Sequence, residues 1–173
     1  DMITAQLALS AISSGPLQLE PIDLRKVVSE VVAELALEID SACARVEVGE
    51  LPPAWADARQ MAQLFKNLIG NALKYRRLEV PLVVGVKGAE SEGAYHCIAV
   101  EDNGRGFDRA DAERVFRVYE RLEPDTAEGS GLGLAICRRI VARHGGTISA
   151  EGRPGEGATF RIRLPRTGSL SGV

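Results

Sequence analysis

One segment near the middle of the chain has an unbroken helical pattern of apolar residues. Between residues 57 and 75, apolar side chains recur at the i, i+3, i+4, i+7 spacing of one helix face, and they are Met61, Leu64, Phe65, Leu68, Ile69, Ala72 and Leu73. Asp57 precedes this run, and Gln60 stands three positions after Asp57, which is the arrangement of a capping box. We therefore expect a helix from Asp57 to about Tyr75 whose apolar face packs in the core.

The size and composition of the chain indicate one globular domain. Its 173 residues, 45% of them hydrophobic, can bury one core. No apolar run approaches the ~20 residues of a membrane-spanning helix, and no charged segment with a cleavage site opens the chain. We expect a cytoplasmic domain without direct membrane contact, although its parent protein could be membrane-anchored. The net charge of -3 and the scattering of 21 basic residues argue against nucleic acid as a partner.

The cysteines indicate neither a disulfide framework nor a zinc site. Cys43, Cys97 and Cys137 are odd in number, widely spaced and embedded in apolar segments. We expect all of them to be packing residues.

The chain divides at a stop signal close to its start. Residues 1–13 have the spacing of the end of a longer helix, with apolar Ile3, Leu7, Leu9 and Ile12. The pair Gly15-Pro16 then ends that helix, because glycine takes a left-handed cap and proline cannot continue the hydrogen-bond ladder. We expect the end of a helix and a linker over residues 1–16, a domain over residues 17–165 and a flexible tail over residues 166–173.

Shorter patterns predict the remaining elements. Residues 17–22 are predicted to be extended, and Asp23 is predicted to cap a helix with an apolar stripe. The predicted strands span residues 45–48, 80–87, 94–101, 147–151 and 158–164. Further helices are predicted at residues 109–119 and 131–144, and the last two strands are expected to form a closing hairpin.

The helix predicted from Asp57 carries polar residues on a second face. Asn67, Asn71 and Lys74 lie at i, i+4, i+7, so their side chains point to one patch of space. A solvated face is one explanation, but asparagine is a poor helix former compared with Glu, Lys or Gln. A ligand site is the other, because an amide oxygen can ligate Mg²⁺ and a lysine can meet phosphate oxygens.

An Asp-Asn-Gly-Arg-Gly segment follows the strand predicted at residues 94–101. Its first residues have the composition of a plain hairpin turn. However, a predicted helix follows rather than a return strand, and Gly104 and Gly106 allow the backbone to approach another group closely, for which a ligand base is one candidate. The carboxylate of Asp102 is a hydrogen-bond acceptor, so it suits the exocyclic amine of adenine and not the carbonyl of guanine.

A glycine-rich segment precedes the helix predicted at residues 131–144. Its residues are Gly129, Ser130, Gly131, Leu132, Gly133 and Leu134. Free amides at a helix N-terminus bind anions, and phosphate fits such a site. The spacing differs from that of the P-loop and of dinucleotide fingerprints. A flexible loop before a helix is the alternative that this motif alone leaves open.

In this order, the motifs resemble those of the nucleotide-binding domain of bacterial sensor histidine kinases, of the GHKL superfamily. The resemblance covers roughly residues 23–165. The matching boxes are the N box at residues 67–75, the first glycine box at residues 102–106, the F box at Val115, Phe116 and Arg121, and the second glycine box at residues 129–134. The run from Phe116 to Gly131 is similar to that of the phytochrome-like group of these kinases.

The resemblance implies a fold and a ligand. The fold is an α/β (α+β) two-layer sandwich in which helices cover one face of a mixed, mostly antiparallel sheet. The ligand is ATP with Mg²⁺, bound between the N-box helix and a short lid over residues 121–130. Asn71 would ligate Mg²⁺, Lys74 and Arg121 would contact phosphates, and Tyr75 would pack near the adenine.

The glycine boxes would complete the implied nucleotide site. Asp102 would accept a hydrogen bond from the adenine amine, and the amides around Gly131 to Gly133 would hold phosphate. The remaining nucleotide-binding residues implied by the boxes are Gly104, Gly106, Gly129, Ser130 and Leu132.

Asn67 bears on the reaction. In the hydrolytic relatives, such as gyrase-like ATPases and heat-shock chaperones, a glutamate stands four residues before the magnesium asparagine and activates water, and an amide cannot act as that base. The resemblance thus implies transfer of the γ-phosphoryl group to a histidine on a dimerisation domain of the same protein, with a response regulator downstream. A hydrolytic or serine-kinase member of the superfamily, or a degenerate module that binds a partner without catalysis, are the alternatives.

The chain itself offers no suitable phosphoacceptor. His96 lies in an apolar strand and is expected to be a core or sheet-face residue, while His144 lies at a helix end, where it suits the helix dipole and the last carbonyls. We therefore expect a fragment that binds ATP and does not phosphorylate itself. Exposure of the apolar residues within 1–13 would allow a weak homodimer.

Overall fold

The computed structural model describes residues 15–118 and 131–166. The α-helices are α1 (Leu24–Glu34), α2 (Ala36–Ser41), α3 (Ala58–Lys74) and α4 (Gly133–Arg143). The strands are β1 (Glu20–Ile22), β2 (Arg45–Val48), β3 (Ala54–Ala56), β4 (Val83–Glu92), β5 (Tyr95–Asp102), β6 (Thr147–Arg153) and β7 (Gly157–Pro165). Two 3₁₀ turns, Arg109–Asp111 and Arg114–Phe116, lie between β5 and α4.

The strands form a large mixed sheet and a small one. The large sheet has five strands in the order β2-β4-β5-β7-β6, of which only β2 and β4 run parallel. Its register places Ile162 of β7 between Ile98 of β5 and Ile148 of β6. The small sheet pairs β1 with β3 antiparallel. The mixed, mostly antiparallel sheet implied by the resemblance is therefore confirmed.

The helices cover one face of the large sheet and enclose a single core with it. Along β4, Val84 and Val86 are buried while Val83 and Lys87 are exposed, which is the period-two pattern of a sheet with one solvated face. Helix α3 lies between α1 and α4. Every apolar residue predicted on its inner face is buried, so the helix predicted from Asp57 is confirmed.

Aspartate caps start α1 and α3, as the sequence predicts. The carboxylate of Asp23 accepts from the amides of Arg25 and Lys26 at the start of α1. That of Asp57 accepts from the amides of Arg59 and Gln60 at the start of α3. The second half of the predicted capping box is wrong, because the Asp57 amide donates to a histidine ring rather than to the Gln60 side chain.

The helix predicted at residues 109–119 is also wrong over its described part. The segment forms the two 3₁₀ turns, the first of them capped by Asp108 through the amide of Ala110. Its large apolar residues Val115, Phe116 and Val118 span only four positions, which is about one turn and too short for the repeated apolar stripe with which an α-helix packs. Phe116 is buried instead by an edge-to-face contact with Phe160 of β7.

Other differences are small. The three-residue strand β3 and the short helix α2 were missed, because neither is long enough to show a period. Cys97 and Cys137 are buried as expected, whereas the expectation for Cys43 is wrong, since it is exposed in a turn with φ 48°.

None of the helices in the described ranges combines the length and apolar character that crossing a membrane requires. The helix end predicted at residues 1–13 and the tail after residue 166 lie outside the described residues.

Candidate functional site

A cleft of about 340 Å³ opens between α3, the loop after β5, the start of α4 and the β6–β7 hairpin. Its lining combines a few polar groups with a largely apolar wall, which is typical of small-molecule sites. The lining residues are Asn71, Ala72, Tyr75, Asp102, Arg105, Gly106, Phe107, Asp108, Asp111, Val115, Leu134, Pro154, Ala158 and Phe160.

Four of the residues predicted to bind the nucleotide line this cleft, namely Asn71, Tyr75, Asp102 and Gly106. Gly133 lies beside it, since a Cβ atom added there would be 3.9 Å from Oδ1 of Asn71. Three separate sequence motifs therefore meet at one place. The predicted residues Arg121, Gly129 and Ser130 lie outside the described residues.

Asp102 ends β5 with its carboxylate at the cleft. Its Oδ1 accepts a hydrogen bond of 2.8 Å from the amide of Gly104. Burial raises the pKa of Asp102, while hydrogen bonds from the amides of Gly104 and Ala158 oppose this rise. A carboxylate has about four acceptor positions, so it keeps acceptor capacity for a ligand donor.

The segment after Asp102 is not a hairpin turn, because β5 pairs with β4 and β7 and the chain crosses towards α3. Asn103 extends the edge of β4, since its Oδ1 accepts from the amide of Val83 and its Nδ2 donates to the carbonyl of Pro81. Arg105 holds the end of α3, because its amide donates to the Tyr75 carbonyl and its Nε donates to the Arg76 carbonyl. These bonds fix the loop beneath Asp102.

The glycines of this loop approach the backbone of the protein itself. A Cβ atom at Gly104 would lie 2.8 Å from the Tyr75 carbonyl oxygen, and one at Gly106 would lie 2.0 Å from that of Arg153. Gly106 also has φ 64°, which favours glycine. The close approach predicted from sequence therefore exists, but its partners in the structure are α3 and the β6–β7 hairpin.

Asn67 does not line the cleft but ties the two helices that border it. Its Nδ2 donates to the carbonyl of Gly133 at 3.1 Å, and its Oδ1 accepts from Nε2 of Gln63 at 2.9 Å. The solvated-face explanation is therefore wrong for Asn67. Lys74, the third member of this face, holds its Nζ 4.7 Å from the centre of the Tyr75 ring.

The described part of the glycine-rich segment leads into α4 with no capping hydrogen bond from the side chain of its N-cap residue, Leu132. Gly131 has φ 68°, Leu132 is buried, and no side chain of the described residues accepts from the first amides of α4. The first turn of α4 also contains no acidic residue. Uncapped amides at a helix start form a site that suits an anion.

Sequence reasoning missed most of the apolar wall. Phe107 directly follows the first glycine box, whereas Pro154, Ala158 and Phe160 come from a turn and a strand that show no recognisable ligand motif. Gly152 is a visible clue in retrospect, because a side chain there would clash with the Phe107 ring at 2.5 Å. A glycine in the interior of a strand can indicate such a close approach, although it does not identify the partner.

The sheet is mixed, helices cover one of its faces, and a cleft that contains polar groups lies beside its central strand. This arrangement defines the ATP-binding sandwich of the GHKL class. The chain belongs to the family of histidine kinase-, DNA gyrase B- and HSP90-like ATPases, whose profile matches residues 56–168. The resemblance to histidine kinase ATP-binding domains is therefore confirmed.

Curated relatives of this chain include bacterial sensor kinases and phytochromes. Phytochrome-like protein Cph1 of Synechocystis sp. is 40% identical over 149 residues, which span 86% of this chain and 20% of that protein. Adaptive-response sensory kinase SasA of Prochlorococcus marinus subsp. pastoris is 34% identical over 160 residues, which span 84% of this chain and 40% of that protein. The chain thus spans less than half the length of these relatives.

Solved structures have the same fold. The mycobacterial sensor histidine kinase MprB is similar with a TM-score of 0.72 and 25% identity, covering 85% of this chain and 97% of that one. The full-length ShkA structure in complex with AMPPNP has a TM-score of 0.78 and 24% identity, covering 95% of this chain and 35% of that one.

Proposed function

We propose that this domain binds ATP with Mg²⁺ in the cleft and donates the γ-phosphoryl group to a histidine on a dimerisation domain of the same protein. The observation that carries the proposal is that the Asp102 carboxylate and the Asn71 amide line the same apolar-walled cleft, with Gly133 at the start of α4 beside Asn71. An adenine base needs a hydrogen-bond acceptor, and its phosphates need a metal ligand and amide donors a short distance away.

The adenine end of the site follows from hydrogen-bond chemistry. Asp102 accepts and cannot donate while ionised, so it pairs with the exocyclic amine of adenine and repels the carbonyl oxygen of guanine. Ala72, Phe107 and Phe160 provide the apolar surfaces on which a flat base packs. Tyr75 adds its ring at the edge of the same cleft.

The residues at the other end fit a magnesium triphosphate. Asn71 offers an amide oxygen, the kind of hard ligand that Mg²⁺ prefers. The first amides of α4, which bond to no side chain of the described residues, are suited to phosphate oxygens. The metal ion would neutralise charge on the phosphates and orient them. We assign phosphate contacts to Lys74 and to the predicted residues Arg121, Gly129 and Ser130. The AMPPNP complex of the similar ShkA structure supports a nucleotide in this fold.

Transfer rather than hydrolysis is favoured by the chemistry at Asn67. Its amide cannot remove a proton from water, and both its oxygen and its nitrogen are already hydrogen-bonded. Neither histidine of the chain suits the role of acceptor. His144 is buried, and His96 lies six positions from Asp102 along β5, a separation of about 20 Å. The acceptor therefore belongs to the dimerisation domain, and a response regulator receives the phosphoryl group afterwards.

Calorimetric titration with ATP, with and without Mg²⁺, tests the binding site. We expect magnesium-sensitive binding that Asp102→Asn weakens by about 10- to 100-fold, the worth of one charge-assisted hydrogen bond. Glu101→Gln is the matched control, because it removes a carboxylate one position away that pairs with Lys87. Equal losses in both variants, or no binding by the unaltered chain, would contradict the site and favour a degenerate binding module.

Radiolabelled ATP separates transfer from hydrolysis. We expect label from the γ-phosphate to appear on a separately added histidine-bearing dimerisation domain and not on this chain. Release of free phosphate should remain slow, and Asn67→Glu tests whether a carboxylate at this position increases it. Rapid phosphate release by the unaltered chain would instead identify a hydrolytic member of the family.

A further inference from the structure

Two residues stand out among the described part of the chain because they are polar, buried and in contact. Asp57 and His144 are each only 4% exposed. The Asp57 amide donates to Nε2 of His144 at 3.0 Å, and Nδ1 of His144 lies 2.7 Å from the Ile140 carbonyl oxygen. Because Nε2 accepts, Nδ1 must carry the proton, so the contact requires the neutral imidazole in one tautomer.

This contact lies at the opposite end of the α3–α4 pair from the cleft. Helix α4 starts beside Asn67 and ends beside Asp57, so the two helices run antiparallel. Between these ends, Sγ of Cys137 donates to the Leu64 carbonyl, and burial raises the pKa of Cys137 to about 12, which keeps the thiol protonated. The start of α4, about 16 Å from His144, is therefore held to α3 through a continuous seam.

Residues 15–18, the segment that leads into β1, form hydrogen bonds with residues at the same contact. The amide of Gln18 donates to Oδ2 of Asp57 at 3.3 Å, and Nη2 of Arg143 donates to the Gly15 carbonyl. Residues 15–18 therefore contact the start of α3 through Asp57 and the end of α4 through Arg143. Both helices that border the cleft meet the entering chain at this one point.

We propose that neutral His144 is a positioning residue, which pins the end of α4 to the start of α3 and so holds the glycine-rich start of α4 against Asn67 and Asn71. The inference rests on the proposed nucleotide site for its effect on ATP. His144 touches no ligand itself and acts through the register of the two helices.

Protonation undoes the contact, because a charged imidazole donates from both nitrogens and Nε2 can no longer accept from the Asp57 amide. The charged groups acting on the ring are the Asp57 carboxylate and the Arg143 guanidinium, while residues 15–18 bring no titratable side chain. On the sheet side the charged residue is Arg163, whose backbone carbonyl lies against Gly146. Burial lowers the pKa of His144 and Arg143 acts in the same direction, whereas the Ile140 carbonyl and Asp57 oppose it.

The test compares ATP titrations from pH 8 to pH 5 for the unaltered chain, His144→Gln and His96→Gln. Glutamine places an oxygen at the same reach as Nε2 and does not titrate, so His144→Gln should bind ATP well at every pH. The unaltered chain and the His96→Gln control should both lose about tenfold more affinity than His144→Gln on acidification, the equivalent of one pKa unit. Protonation of ATP is common to all three proteins and cancels in the comparison. Identical pH profiles in all three would overturn the inference.

A second measurement needs no nucleotide. We expect nitrogen NMR to show the Nδ1-protonated tautomer of His144 and to show the Gly133 amide shifting with the titration of that ring in the unaltered chain but not in His144→Gln. A Gly133 amide that ignores the ring, or a ring protonated at Nε2, would overturn the positioning role. Absence of ATP binding at pH 8 would overturn only the proposed function, because the NMR experiment still decides the role of His144.

Discussion

Burial in the cleft removes water from the Asp102 carboxylate and so disfavours its ionised form. Because burial raises its pKa, the folded state binds a proton more readily than the unfolded chain, so ionisation of this group lowers the stability of the fold. The contribution is largest below the ordinary pKa of an aspartate and is lost as the pH rises through the raised folded value. We therefore expect the unaltered chain to lose stability relative to Asp102→Asn as the pH rises from about 3.8 through that window.

Urea unfolding without nucleotide at a series of pH values measures this slope. Glu101→Gln is again the control, because its carboxylate is partly exposed and paired with Lys87 on the surface. The expectation fails if the free-energy difference between Asp102→Asn and the unaltered chain is independent of pH.

Gly106 and Gly155 allow a comparison between backbone strain and steric clash. Both have left-handed φ angles, of 64° and 76°, so alanine costs about 1 to 2 kcal/mol at either position from conformation alone. Nothing lies within 4 Å of a Cβ atom at Gly155, whereas one at Gly106 would lie 2.0 Å from the Arg153 carbonyl oxygen. We expect Gly155→Ala to lose only the conformational amount and Gly106→Ala to lose at least about 4 kcal/mol in urea unfolding. Equal losses would show that the hairpin moves aside easily.

Among the helices and strands, the sequence predicted best those with a long run of periodically spaced apolar residues, and it missed the short helix α2 and the short strand β3. Helix α3 spans nearly five turns of unbroken apolar spacing, so its start, its end and its buried face were all predictable. The segment after Asp108 has its large apolar residues within a single turn, and Phe116 in its second 3₁₀ turn packs against Phe160, far along the chain. Tertiary contacts of this kind leave no local pattern to recognise.

The seam between α3 and α4 depends on the donor of Asn67. Replacing this residue by aspartate keeps its shape but turns a carboxylate oxygen towards the Gly133 carbonyl, 3.1 Å from the present nitrogen. Two acceptors then face each other, and we expect Asn67→Asp to lower the free energy of unfolding by about 1 to 3 kcal/mol at neutral pH. Gln63→Ala removes the exposed partner of the same amide and should change stability by no more than about 0.5 kcal/mol. A fully stable Asn67→Asp would mean that the hydrogen bond from Asn67 to the Gly133 carbonyl contributes nothing to the stability of the seam.

At the scale of the whole molecule, the cleft is assembled from segments that are distant in sequence. The polar residues Asn71 and Asp102 were identifiable because their chemistry is unusual for a helix interior and a strand end. The apolar wall was not, because a residue such as Phe160 or Pro154 has the same appearance in any strand or turn. Which apolar residues face a ligand is decided by topology, here by the antiparallel pairing of β5 with β7.

The domain limits predicted at residues 17 and 165 can be tested by truncation. Strand β1 is short, yet it pairs with β3 and brings Ile22, only 9% exposed, into the core. The amide of Gln18, just before β1, donates a hydrogen bond to Asp57, the cap of α3. We expect a chain of residues 15–166 to unfold in urea within about 0.5 kcal/mol of the whole chain, as for changes away from the core. A chain of residues 23–166 should lose at least about 2 kcal/mol, because it exposes the partner edge of β3 and removes Ile22. Large destabilisation of the 15–166 chain would show that the domain extends beyond these limits, and equal stability of the shorter one would show that β1 belongs to the linker.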